Sequence, residues 1–316
     1  MELGAADRFA TLEKPIELSG LLQKTSRTFA LTIPMLPEPL QTQVAVAYLL
    51  FRIIDTFEDA TRWDPARRVE ALEFFARLMD GEHPLEARQT LAEWARQPPV
   101  EHEGYLELLR ATPEVLAWHR RLAPAASAEL ARHVARSARA MAEVVERTDA
   151  RGLLALQTLQ ELRDYCFAVA GIVGEMLTEL FIMQSPQLGV VAGELRARSI
   201  EFGEALQLVN ILKDAAADAA EGRAYLPAGV SPPEVFQLAR ASLRRALEYT
   251  ELQRAAGAAP GVVSFNALNA RLAIGTLHLL REKGAGAKLS RLRVMSIAAE
   301  VMLAVETGGP LFPESP

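Results

Sequence analysis

Apolar positions along the chain recur mainly at helical spacing. The run QTQVAVAYLLFRIIDTFED, from Gln41 to Asp59, is apolar on nearly every side, and a helix of that kind belongs in a core. The same reading predicts helices near 65–79, 86–95, 101–110, 113–122, 125–147, 158–183, 190–220, 234–255, 262–282 and 290–305. Pro65 suits a first helical position, with Asp64 as its cap. Ser26 would cap a helix or turn before Pro34, Pro37 and Pro39 force a break. Gly81, Pro98, Gly152, Pro186 and Gly222 punctuate the rest, and Pro227, Gly229, Pro232 and Pro233 mark 222–233 as a loop. No alternating strand pattern and no repeat emerges. The expected architecture is all-α, with a partly irregular segment 1–20, one helical domain over 21–306 and a flexible tail 307–316.

Composition sharpens this picture. In 316 residues, hydrophobic side chains make up 50% and aromatics only 6%. With abundant alanine, that mix favours packed helices over sheets. The length admits two domains or one large one. A formal net charge of −6 gives no support for a nucleic-acid partner. Cys166 is the single cysteine, so no internal disulfide forms, and a reducing, cytoplasmic setting is expected. The histidines are scattered without zinc spacing. The longest apolar run, Val44 to Ile54, is broken by Arg52 and falls short of the ~20 residues a membrane span needs. Neither terminus reads as a signal peptide or an anchor. The expectation is a soluble protein with peripheral membrane contact, as a monomer or weak homodimer.

Two acidic patterns interrupt the oily stretches. The first is Asp55-Thr-Phe-Glu58-Asp59; the second is Asp214-Ala-Ala-Ala-Asp218. Residues three or four apart share a helix face. Tyr48, Arg52, Asp55 and Asp59 therefore form one polar stripe, with Glu58 beside it. Gln207, Asn210, Asp214, Asp218 and Glu221 form a second. Either pattern alone reads equally as a solvated face or a salt-bridge partner. Together, on helices otherwise apolar, they predict two carboxylate walls looking into a cavity. Like charges that close repel, and Mg²⁺ with a polyanionic substrate would relieve this.

Three blocks then carry a resemblance: SRTFALTIPML followed by AYLLFRIIDTFEDA, DYCFAVAGIVGEMLTELF (164–181), and LQLVNILKDAAADAAEGRAYLP (206–227). In this order the chain resembles the squalene/phytoene synthase family, and DTFED leans to the squalene branch. The resemblance implies a single helical prenyltransferase bundle around a central cavity. It implies Mg²⁺ between the acidic motifs and head-to-head joining of two prenyl diphosphates. For the squalene branch these are farnesyl diphosphates, condensed through presqualene diphosphate and reduced by NADPH. Phytoene or dehydrosqualene synthesis, or arrest at presqualene diphosphate, shares the same motifs.

Carried over by position, Asp55, Glu58, Asp59, Asp214 and Asp218 match the metal-binding acids. Ser26, Arg27, Gln207, Asn210, Lys213, Arg223 and Tyr225 match the diphosphate region. Tyr165, Arg52 and Tyr48 match the catalytic positions. One departure stands out: Ala217 occupies a position where the family has Glu. Glu221, a turn beyond Asp218, is the expected substitute, while an inactive lipid-binding homologue is the alternative that Ala217 keeps open. Gly171 and Gly174 read either as room for substrate or as close helix packing. No GxGxxG turn opens a helix, so no Rossmann unit is expected. Lys288, Ser290 and Arg291 in KLSRLR read as a solvated loop, or as a contact for a cofactor phosphate or a membrane.

Overall fold

The computed structural model describes residues 17–60, 62–82, 87–149, 154–220, 223–313 and 315–316. Among them the chain forms helices α1 (Leu18–Thr25), α2 (Phe29–Thr32), α3 (Leu40–Glu58), α4 (Pro65–Met79), α5 (Ala87–Arg96), α6 (Glu103–Arg110), α7 (Thr112–Arg121) and α8 (Pro124–Glu146). They continue as α9 (Leu159–Cys166), α10 (Ile172–Gln184), α11 (Ala192–Ala220), α12 (Pro232–Ala255), α13 (Pro260–Lys283) and α14 (Arg291–Thr307). The segment 1–16 lies outside the described residues. The all-α, single-domain expectation holds, and the predicted helices fall within a few residues of those observed. The short α1 was not predicted, and α2 is the helix or turn expected after Ser26.

α3 is the spine. Leu49, Leu50, Ile53, Ile54 and Phe57 are each 0% exposed, and the helix packs against α1, α4, α6, α7, α8 and α10. Predicted caps are in place: Asp64 Oδ1 accepts from Arg67 N at 2.9 Å, and Ser26 Oγ accepts from Phe29 N at 3.0 Å.

The stretch expected as one helix over 158–183 is broken by a π turn at Phe167–Gly171. The run Leu159–Gln184 is long and apolar enough to cross a membrane, which corrects the reading that no segment reaches that length. Half of its apolar window is packed inside the protein, so it serves as a core element. The glycines explain why. A Cβ on Gly174 would stand 2.0 Å from the Ser199 carbonyl oxygen, and one on Gly203 would stand 2.1 Å from that of Ala170. The backbones of α10 and α11 touch there, so Gly174 serves close packing. Gly171 does likewise: its Cβ would meet Phe167 and Ile200 side chains at 2.9 and 3.2 Å.

Two irregular segments are tied down. Ala155 and Ala224 form a parallel bridge, with Ala224 N donating to Leu154 O at 3.3 Å and Ala228 N to Leu156 O at 3.0 Å. The tail expected to be flexible lies against the bundle instead. Leu311 is fully buried, and Arg254 and Arg240 donate to the carbonyls of Gly309 and Pro316 at 2.7 and 3.0 Å.

Gly203→Ala is expected to destabilise the fold by about 1–3 kcal/mol, because backbone cannot retreat as a side chain can. Gly20→Ala, with open space around its Cβ, is expected to be neutral or stabilising by up to ~1 kcal/mol. Urea unfolding of both variants checks the contrast.

Candidate active site

The polar stripes of α3 and α11 face each other across a cavity of about 540 Å³. Because the other sides of α3 are sealed in the core, its stripe has only this cavity to look into. Asp55, Glu58 and Asp59 line one wall. Gln207, Asn210, Lys213, Asp214 and Asp218 line the other. Ser26 and Arg27, in the turn between α1 and α2, close one end; Tyr165, Arg223 and Tyr225 close another. Val169, carried by the π turn, and Ile211 are the apolar lining residues.

Cations hold the acids in place. Arg52 reaches Asp55 at 3.2 Å, and its guanidinium lies over the rings of Tyr48 and Tyr105. Lys213 Nζ lies 3.2 Å from Asp214 and donates to Asn210 Oδ1 at 2.8 Å. Arg223 spans the two motifs, 3.1 Å from Asp218 and 3.7 Å from Asp59. Its position follows from the bridge at Ala224 and from its own N–H donating to Asp218 O at 2.8 Å.

Tyr48 stands behind the wall. Its hydroxyl donates to Thr25 O at 2.8 Å and accepts from Arg52 Nε at 3.3 Å. It thereby positions both the Ser26–Arg27 turn and the arginine. Tyr165 is set by a capping box at the start of α9, where Glu161 N donates to Thr158 Oγ1 at 3.1 Å and Glu161 accepts from Thr158 N at 3.2 Å. Its ring stacks on Tyr225 with centroids 4.7 Å apart.

Burial strains the charges. It pushes the Asp55 carboxyl up to about 6, with Arg52 opposing and Asp59 adding to the rise. Glu58 is raised further in the same direction by burial and by Asp59. Burial also raises Asp218, with Arg223 opposing. Tyr165 is raised by burial and by the charge of Glu58, so its hydroxyl stays protonated at neutral pH.

The donor set fits Mg²⁺. All donors are oxygens, and burial together with the neighbouring acids raises Asp55, Glu58 and Asp218. Among the described residues no three carboxylate, histidine or cysteine side chains are grouped to hold an ion unaided. Mg²⁺ takes one or two carboxylates and completes its shell with water and substrate phosphate. Asp55, Glu58 and Asp59 on one wall, and Asp214 and Asp218 on the other, are the carboxylates from which one or two would hold it. Glu221 lies outside the described residues, and Ala217 is exposed.

Among the polar cavity residues, Gln23, Lys24, Thr25, Thr28, His102 and Tyr105 escaped the sequence reading. The segment carrying His102 and Tyr105 shows only ordinary amphipathic spacing. One signal was available in hindsight. Tyrosine is scarce, with five in the chain, and all but Tyr249 gather here.

An all-helical bundle with acidic stripes opposed across a polar cavity is an architecture shared with other solved structures. TcSQS in complex with the ligand E5700 shares it with a TM-score of 0.75 at 22% identity, over 91% of this chain and 87% of that one. A dehydrosqualene synthase shares it at 0.54 and 18%, over 92% and 95%. The squalene/phytoene synthase profile matches residues 22–231, and the chain belongs to that family. A squalene synthase of Eremothecium gossypii is 30% identical over 210 residues, 66% of this chain and 44% of that protein. Squalene synthase BSS of Botryococcus braunii is 28% identical over 217 residues, 66% and 42%. The chain thus spans less than half the length of these relatives.

Arg223→Ala removes the cation shared by Asp59 and Asp218. It is expected to lower the melting temperature of the metal-free protein, with Mg²⁺ and inorganic diphosphate restoring more of the loss than they add to the wild type. Calorimetry with and without the two additions checks this.

Proposed function

We propose that the protein is a Mg²⁺-dependent head-to-head prenyl diphosphate synthase that converts two farnesyl diphosphates to presqualene diphosphate and then, with NADPH, to squalene. The opposed acidic stripes bridged by Arg223 carry this reading. They form an anionic mouth with interleaved cations, suited to a metal–diphosphate complex and poorly suited to a neutral ligand.

Ionisation of the first substrate breaks its allylic C–O bond and leaves negative charge on diphosphate. Arg27, Lys213 and Arg223 line the cavity where that charge develops, and Lys213 and Arg223 are already oriented by their neighbours, which is how preorganised electrostatics lower a barrier. Mg²⁺, when bound, supplies further charge neutralisation to the leaving group. The double bond of the second substrate attacks the allylic carbon, and loss of a proton closes a cyclopropane. The stacked rings of Tyr165 and Tyr225 line the same cavity, and aromatic rings stabilise nearby positive charge.

The reductive half rests on different support. Curated relatives at 28–30% identity are squalene synthases. NADPH, when bound, would supply the hydride.

Mass spectrometry of products from farnesyl diphosphate and Mg²⁺, with and without NADPH, tests the proposal. Presqualene diphosphate alone without NADPH, and squalene with it, is the expected outcome. A product unchanged by NADPH would remove the reductive step. A longer product formed preferentially from geranylgeranyl diphosphate would move the protein to the phytoene branch. Absence of diphosphate release, with a farnesyl analogue still bound, would leave the Ala217 chain a lipid binder. Asp218→Asn is expected to lower turnover by at least ~100-fold, the scale for losing one preorganised electrostatic group.

A further inference from the structure

α14 is apolar on two opposite faces. Ile297, Ala298, Val301 and Ala304 are buried against the bundle. On the other side Leu292 is 84% exposed, Met295 54%, Met302 50% and Leu303 60%, with Ala299 also exposed among them. Spacings of three and four place these residues on one stripe along the helix. They include four of the six large hydrophobic side chains that are exposed among the described residues.

The stripe has a charged collar at its N-terminal end. The segment 281–293 carries Arg281, Lys283, Lys288, Arg291 and Arg293 against a single acid, Glu282, in a chain whose net charge is −6. Arg281, Lys283, Lys288 and Arg291 are exposed. The acid nearest the stripe on its flank, Glu300, is neutralised by Arg271 and Arg293 and accepts from Ser296 Oγ at 2.7 Å. Glu306 stands at the far end.

The collar is joined to the active site. Gly286 N donates to Lys213 O at 2.8 Å, and Lys213 lines the cavity. The loop before α14 is therefore held beside the cavity mouth.

We propose that α14 and the loop before it form a docking surface for an anionic lipid bilayer, set beside the entrance to the active site. A helix lying on a membrane needs an apolar face to enter the acyl boundary and basic residues to meet anionic headgroups. Both are present here, and basic charge concentrated in an acidic protein selects an anionic surface over a neutral one. The proposal deepens the prenyl diphosphate reading. It rests on that reading only for its use, since an amphiphilic substrate and an oily product would both partition into the bilayer.

Flotation of the full chain with vesicles tests it. Two variants are compared with the wild type after matching far-ultraviolet circular dichroism: Leu292→Ser/Met295→Ser/Met302→Ser/Leu303→Ser, and Lys288→Glu/Arg291→Glu. The wild type is expected to float with phosphatidylcholine vesicles containing phosphatidylglycerol and not with pure phosphatidylcholine. Each variant is expected to lose at least ~tenfold in vesicle affinity, the charge reversal through its lost headgroup contacts. Turnover of detergent-dispersed farnesyl diphosphate is expected to be equal in all three. Failure of the wild type to float, or equal flotation of the variants, would overturn the proposal. So would a wild-type dimer in sedimentation that the serine variant converts to a monomer without any lipid binding, because the face would then belong to a second copy. If the flotation pattern holds and all three proteins lack turnover, docking stands and the catalytic reading fails.

Discussion

Carboxylates fixed to a sealed helix are the constraint from which the site follows. α3 cannot turn its acidic stripe away from the cavity, because its other sides are buried in the bundle. Glu58 is buried there and Asp55 partly so, close to Asp59, which costs free energy unless cations answer them. The elements around the cavity supply those answers: Arg52 from the same helix, Lys213 from α11, and Arg223 from the loop after it. A metal–diphosphate complex brings positive charge to the acids and negative charge to the basic groups together. The empty charge pattern and the proposed ligand are thus complementary in both signs.

Placing the second wall is a packing problem more than an electrostatic one. α11 is positioned by its backbone contact with α10 and the π turn, where Gly174 and Gly203 admit no Cβ. Asp214 is eleven residues beyond Gly203, about 16 Å along a helix. A small shift at the crossing would therefore be carried rigidly to the carboxylates. The tether at Ala155 and Ala224 does the same for Arg223 and Tyr225. The two walls are also unequal. Ala217 supplies no carboxylate, and Lys213 lies against Asp214. The α11 wall accordingly offers less negative charge to an ion than the α3 wall.

What the sequence made legible was local. Long helices, the Asp64 cap and the two stripes depend on spacing within one element, the stripes being readable from Tyr48 to Asp59 and from Gln207 to Asp218. What stayed hidden depended on contacts between distant segments. The role of Gly174 was undecided because Ser199, which it touches, lies on another helix. Tyr48 reads as a site residue by its position in the stripe, yet its hydroxyl is taken by Thr25 O. Tyr105 and His102 come from α6, whose pattern is that of any surface helix. The tail reads as flexible from its prolines, while Leu311 finds a place in the core.

α14 shows a further limit of periodicity as a signal. A helix with one apolar face announces itself by a strong 3.6-residue rhythm. A helix apolar on two opposite faces nearly cancels that rhythm, so Leu292, Met295, Met302 and Leu303 look like unremarkable helix filler in the chain. Only burial separates the two faces, because one is covered by α13 and the other is covered by nothing among the described residues. The basic loop gives the uncovered face a preferred partner. The hydrogen bond from Gly286 to Lys213 then gives that partner a position relative to the chemistry. An interfacial enzyme needs these two conditions together: an adhesive face, and an entrance held at a fixed distance from it.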